Sequence, residues 1–182
     1  MKERVSLSYC PTMLPYVEEI KKNLEEVEII PGGSAAGVLS MLRNGNVDMI
    51  IIGRKAYERE LTNEIKERRL QEGYTLAYSQ KMGISEEKLK EISVKTYVDE
   101  KIVKEKFAML KNVTYYEDKD ECINSGVNIP MLVDWQDFKE EFELLIPLNN
   151  EGGKTSVFRA PVVYYNKNVD DKIIDKIEKI LK

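Results

Sequence analysis

The chain has 182 residues, 42% apolar and 33% charged, a balance that supports a buried core and argues against wholesale disorder. Its 28 basic and 32 acidic residues leave a net charge of −4, which argues against direct nucleic-acid binding by this chain, because phosphate recognition needs a clustered positive field. There is no histidine, so Ser-His-Asp and Cys-His catalysis, histidine metal sites and histidine proton relays are all excluded.

Arg4–Ser8 alternates like a strand, and Tyr9–Pro11 breaks it. Leu14, Val17, Ile20 and Leu24 then recur at helical spacing. Val27–Ile30 predicts a second strand. Ser34 is placed to cap a helix with Val38, Leu39 and Leu42 as its apolar stripe, and Asn44-Gly45 to end it. Val47–Ile52 reads as a buried parallel strand. This β-α-β-α-β order implies parallel neighbours with helices on the sheet faces.

The charged segment Leu61–Glu72 reads as a helix and Tyr74–Tyr78 as a strand, followed by a polar connection with some helix over Gln80–Leu89. A second cycle follows: strand Ile92–Lys95, helix Asp99–Leu110, strand Val113–Tyr116, short helix Asp120–Asn124 with Gly126 after it, and strand Pro130–Asp134. The order of elements in 92–134 thus repeats that in 4–52. Phe142–Pro147 is strand-like, Asn149–Lys154 a loop and Ser156–Tyr165 a strand. Val169–Leu181 is an amphipathic helix with Ile173, Ile174, Ile177 and Ile180 on one face. The expected division is 1–78 plus 160–182 for one lobe and 79–159 for the other, with a ligand cleft between them.

Cys10 and Cys122 form no C-x-x-C pair and suggest no zinc or redox motif; the count alone leaves one disulfide open. The longest apolar run is Met49–Ile52, so membrane insertion is not expected. No secretion signal is visible, which predicts a cytoplasmic protein if Met1 is the native start and an extracytoplasmic one if a leader has been trimmed.

The most informative stretch is Pro31–Arg54, PGGSAAGVLSMLRNGNVDMIIIGR. From Gly33 onward it resembles the type II periplasmic-binding-protein segment in which a Gly/Ser loop opens a helix and a G-x-V-D strand follows. The tail from Pro147 resembles the end of such proteins, where the chain crosses back and closes with a helix. A narrower likeness is to the C-terminal ligand-binding domain of YhfZ-type bacterial transcription regulators, carried by LRNGNVDMII and, more weakly, by ISVKTYVDEKIVKEKF and the acidic helix 117–126. The resemblance implies an α/β fold of two small lobes with mainly parallel sheets, joined by two crossing strands around a cleft.

Gly32, Gly33 and Ser34 are the leading ligand candidates. A helix start offers unpaired N–H groups and partial positive charge, and glycine lets a ligand approach the backbone. The bland alternative is a tight turn with Ser34 as a simple cap. Ser8, Tyr9 and Thr12 lie in the first strand–helix loop, where they either line the same pocket or merely cap and pack. Cys10 reads as a small apolar residue. Gly53 and Arg54 follow a buried strand; Arg54 either grips an anion bidentately or forms an internal salt bridge. In the second lobe Thr96 and Tyr97 are expected in the loop equivalent to Ser34, and Trp135 either stacks on a ligand or fills the core. The acidic group Glu117, Asp118, Asp120 and Glu121 lacks calcium-loop spacing and reads as a solvated helix start.

The expected protein binds a small anionic or zwitterionic molecule and closes by a hinge motion. No catalytic residue, metal or cofactor is implied. A cytoplasmic sensor or effector-binding domain is the first reading, a solute-binding protein of an ABC-type transporter the second, and an enzyme on the same fold the third. Sensors of this kind often pair, which leaves a homodimer open.

Overall fold

The computed structural model describes residues 4–71, 73–78, 83–126, 128–139, 142–148 and 160–181. The expected loop over Asn149–Lys154, the first part of the Ser156–Tyr165 strand and the start of the Gln80–Leu89 connection lie outside them. The chain divides into two units, residues 1–72 with 160–182, and residues 73–159.

The first unit opens with strand β1 (Val5–Tyr9), a 3-10 turn (Pro11–Met13) and helix α1 (Leu14–Asn23). Strand β2 (Val27–Ile30), helix α2 (Ala35–Arg43) and strand β3 (Met49–Ile52) follow, then strand β4 (Ile65–Arg69). Much later the chain returns with β11 (Val162–Asn166) and α6 (Asp171–Leu181). The five-stranded sheet has the order β2-β1-β3-β11-β4. β1 runs parallel to both β2 and β3, whereas β11 runs antiparallel to β3 and β4. Met49, Ile50, Ile51 and Ile52 are all fully buried, as a central strand covered on both faces requires.

Two local devices fix this unit. Helix α2 ends in a Schellman motif: Gly45, at φ +76°, donates to Leu42 O and Asn46 donates to Met41 O. Asp48, just before β3, accepts from the Ser6 N–H at 2.9 Å and from Ser6 Oγ at 3.0 Å, and its own N–H donates to Ser6 Oγ at 2.9 Å. The aspartate of the V-D dipeptide is therefore a clasp between β1 and β3.

The second unit contains β5 (Tyr74–Tyr78), β6 (Gly83–Ser85), α3 (Glu86–Leu89), β7 (Ser93–Thr96), α4 (Glu100–Lys106), β8 (Asn112–Tyr115), α5 (Lys119–Asn124), β9 (Met131–Asp134) and β10 (Glu143–Leu148). Its sheet has the order β6-β10-β5-β9-β7-β8. The run β9-β7-β8 is all parallel and matches β3-β1-β2 of the first unit, so the predicted repeat of elements is also a repeat of strand order. Both sheets are mixed, because β11 and β5 enter antiparallel. A core of Tyr74, Leu76, Val94, Val103, Phe107 and Leu132 fills one side, with Tyr74 and Phe107 edge-to-face at 5.6 Å.

Two expectations need correction. Ile65–Arg69 is a strand, not a helix. Its lysine, glutamate and arginines favour helix intrinsically, but pairing along β11 overrides that, and Tyr164, opposite Glu67, donates its buried hydroxyl to Glu67 Oε2 at 2.8 Å. Tyr74–Tyr78 belongs to the second unit rather than the first, because β5 pairs with β9 and β10, which moves the boundary from 78/79 to 72/73. Among the described residues no helix is long and apolar enough to cross a membrane.

Asp48→Ala removes the clasp and leaves Ser6 with unmatched polar groups. We expect a loss of about 2 kcal/mol in urea unfolding, since hydrogen bonds to a charged group carry roughly that much. An unchanged midpoint would show that β1 and β3 hold together without it.

Candidate functional site

Strands β2, β1 and β3 are adjacent and parallel, so the loops after them emerge at one edge of the sheet. That edge gathers Ser8–Thr12, Gly32–Ser34 and Gly53–Arg54. The first-unit candidates are therefore brought together by topology.

Their side chains differ in what they have left to offer. Ser34 caps α2: its Oγ accepts from the Gly37 N–H at 3.1 Å, and its carbonyl accepts from the Val38 N–H at 3.0 Å. An α-helix has no internal partner for its first N–H groups, so those of Ala35 and Ala36 have none within α2. No acidic residue lies in this first turn. Ser8 is fully buried, and its Oγ has no hydrogen-bond partner among the described residues. It lies against Gly32: a Cβ there would fall 2.5 Å from Ser8 Oγ, 2.4 Å from Tyr9 O and 2.4 Å from Val38 Cγ1. Gly32 is thus a glycine because β1 and α2 leave no room for a side chain. Gly33 is exposed, and a methyl group on its Cα would meet nothing within 4 Å.

Tyr9 is half-buried and Thr12 exposed. Thr12 does not cap α1, whose N-cap is Met13; its Oγ1 lies 3.3 Å from Cys10 Sγ. Cys10 is buried, and both cysteines are free thiols.

Gly53 is buried, and Arg54 is committed internally. Its Nη1 and Nη2 donate to Glu60 Oε1 and Oε2, both at 2.9 Å, and Nη1 also donates to Lys55 O at 3.0 Å. The guanidinium lies 4.7 Å from the Tyr57 ring centroid, with Arg59 at 5.3 Å from the same centroid. The internal salt bridge prevails over the free anion grip because the Lys55–Glu60 turn delivers a carboxylate to the end of β3. Burial raises the Glu60 carboxyl pKa, but hydrogen bonds from Arg54 and the Tyr57 N–H, with the charges of Arg54 and Arg59, hold it below the ordinary 4.5. Glu60 is the residue that sequence reasoning missed; the only signal is the alternation of arginine and glutamate in GRKAYERE.

In the second unit, Thr96 is fully buried, its Oγ1 donating to Leu132 O at 2.8 Å and accepting from the Val98 N–H at 3.0 Å. The Tyr97 hydroxyl donates to Asp137 Oδ2 at 2.5 Å and accepts from the Asp134 N–H at 2.9 Å, and Lys119 reaches Asp137 Oδ1 at 3.0 Å. Trp135 is 3% exposed, which leaves it no free face for stacking. By strand order Thr96 and Tyr97 correspond to Ser8 and Tyr9 at the end of β1, not to Ser34. The counterpart of Ser34 is Asp118, the N-cap of α5, and Asp120 and Glu121 follow in the first turn. That end of the second unit carries negative charge, whereas the first turn of α2 carries none.

Two mixed sheets, one per unit and each built on the same β-α-β-α-β cycle, give the α/β architecture in two units. The chain is similar to an ABC-type phosphate transport receptor from Vibrio cholerae, at 14% identity over 98% of this chain and 94% of that one, with a TM-score of 0.43. It is similar to the reduced OxyR regulatory domain from Pseudomonas aeruginosa, at 12% identity over 98% and 96%, TM-score 0.44. A sulfate-bound variant of the OxyR2 regulatory domain from Vibrio vulnificus aligns at 12% identity over 100% and 96%, TM-score 0.42. No protein-family model matches the chain, and no curated protein does.

Gly32→Ala should cost about 1–3 kcal/mol, because backbone and side chains must shift to admit the methyl, whereas Gly33→Ala should be neutral or gain about 0.5 kcal/mol. Equal melting temperatures for the two variants would contradict the close approach at Gly32. The Arg54–Glu60 pair makes a second prediction, with its sign fixed by the lowered carboxyl pKa. Its contribution is complete above the ordinary carboxylate range and is lost as pH falls through the lowered value. Glu60→Gln should therefore cost about 3 kcal/mol at pH 7 and flatten the acid limb of a stability–pH curve. An acid limb identical to that of the parent protein would rule the pair out as its source.

Proposed function

We propose that this chain is an effector-binding domain that takes a small anionic or zwitterionic molecule at the C-terminal edge of the five-stranded sheet. The observation that carries the reading is the buried, unpartnered hydroxyl of Ser8 beside Gly32, next to the open N–H groups that start α2. A buried polar group without a partner costs about 1–3 kcal/mol. A ligand oxygen reaching that hydroxyl would recover this cost while the α2 N–H groups and the helix dipole hold its charge. Recognition would be by neutral donors, since the one arginine at this edge is spent on Glu60.

Binding rather than turnover fits the residues present. The chain has no histidine, and the buried carboxylate of this region, Glu60, is held ionised by Arg54 rather than poised to move a proton. The narrower likeness of LRNGNVDMII to regulator effector domains supports a sensor over a carrier.

The test is a thermal-shift and calorimetric screen of the chain against inorganic phosphate, sulfate, dicarboxylates and amino acids. A true ligand at a hundred times its Kd adds about 2.7 kcal/mol of apparent stability. Ser8→Ala should leave the ligand-free protein as stable as the parent, or about 1 kcal/mol more so, and should abolish most of the ligand-induced shift. A ligand that binds Ser8→Ala as tightly as the parent would place the site elsewhere.

A further inference from the structure

Residues 5–17 and 29–42 are the longest stretches of this chain without a charged side chain, although 33% of all residues are charged. They supply the first two of the three loops at the C-terminal edge of the five-stranded sheet. Both stretches also put apolar groups into solvent there. Leu14, at 41% exposure, is one of two large apolar side chains exposed among the described residues, and Pro11, Pro15, Pro31 and Ala36 are exposed as well.

The donors at this edge lie in one place. The N–H groups of Ala35 and Ala36 have no partner within α2, and the buried Ser8 hydroxyl beside Gly32 has none among the described residues. Helix α1 begins at the same edge, but its start is closed. The Met13 N–H donates to Cys10 O at 2.9 Å, the Leu14 N–H donates to Pro11 O, and Pro15 has no N–H. In the third loop, Arg54 and Glu60 neutralise each other through two hydrogen bonds of 2.9 Å. One group of neutral donors beside a helix start suits one anionic group. A second carboxylate would find neither another such helix start nor the Arg54 guanidinium, and an ammonium beside Ser8 would find no buried countercharge. A charge taken from water without compensation is costly, whereas an apolar body gains by covering exposed apolar surface.

Resting on the reading of this edge as a ligand site, we infer that its ligand is a monocarboxylate with an uncharged, apolar body. The carboxylate takes the Ser8 hydroxyl and the first N–H groups of α2, and the body lies on the apolar residues of the first loop, Leu14 foremost. Inorganic oxyanions, dicarboxylates and amino acids are disfavoured. The first have nothing to place on Leu14, and the other two each bring a charge that this edge does not match.

Isothermal titration calorimetry of the full chain with butanoate, hexanoate, hexanedioate, 2-aminohexanoate and inorganic phosphate tests the class. Hexanoate should bind most tightly, with a gain of about two- to fourfold for each methylene added from butanoate. Hexanedioate, 2-aminohexanoate and phosphate should each bind about tenfold more weakly than hexanoate, or worse. Leu14→Lys, a change at an exposed position, should keep the parent melting temperature and narrow the gap between hexanoate and hexanedioate. Hexanedioate, 2-aminohexanoate or phosphate binding as tightly as hexanoate, with that binding lost in Ser8→Ala, overturns the ligand class and leaves the site standing. A Leu14→Lys variant with the parent's preferences overturns the class as well. Hexanoate binding Ser8→Ala as tightly as the parent overturns the site itself, and with it this inference, as does the absence of binding by every member of the series.

Discussion

The parallel pairing of β1 with β2 and β3 is the constraint from which the candidate site follows. Parallel neighbours must end at the same edge, so three loops far apart in the chain are brought together by strand pairing alone. Asp48 holds that arrangement at the opposite edge by binding Ser6 through backbone and side chain. Fixing the entry of β3 against β1 fixes their register, which in turn sets where Gly53 and Arg54 emerge relative to Ser8. The candidate site thus depends on a clasp at the other end of the strands.

The two units share this plan and diverge in chemistry. Both place a strand–helix junction beside the central strand, but α2 begins with Ser34 and two alanines, whereas α5 begins with Asp118, Asp120 and Glu121. Each helix turns the positive end of its dipole towards the strand ends of its own sheet, so the side chains decide whether the helix start welcomes an anion. In the second unit the polar groups at the strand ends are also spent on one another, through Thr96 with Leu132 and Val98, and Tyr97 with Asp137. In the first unit Arg54 is similarly spent on Glu60, but Ser8 and the first turn of α2 are not.

The sequence discloses the features that rest on local pattern. The apolar run at 49–52, the Asn-Gly stop after α2 and the serine that caps it are short-range signals, and each element forms where its pattern lies. Features that depend on partners far along the chain were hidden. β4 has a helix former's composition and becomes a strand because β11, about a hundred residues later, offers it an edge. Arg54 looks available until the turn at 55–60 returns Glu60 to it. Trp135 follows the strand Met131–Asp134, as expected, whereas Thr96 closes β7 instead of standing in a loop like that of Ser34, and the burial of both is a property of packing that no local window contains.

Ser6 and Ser8 show two different fates of a serine hydroxyl. They lie on the same face of the same strand, two residues apart, in a strand whose other side chains are Val5, Leu7 and Tyr9. The hydroxyl of Ser6 is fully used, donating to Asp48 Oδ2 and accepting from the Asp48 N–H. That of Ser8 is more deeply buried, sits in register with Ile30 and Ile50, and has no partner among the described residues. An alanine would fill the same space without the desolvation cost. The two positions thus separate the roles a buried serine can have: at the end of β1 distant from the loops the hydroxyl completes the fold, and at the end beside Gly32 it is left over by the fold. That leftover hydroxyl, next to a glycine and a helix start, is the feature on which the proposed ligand site rests.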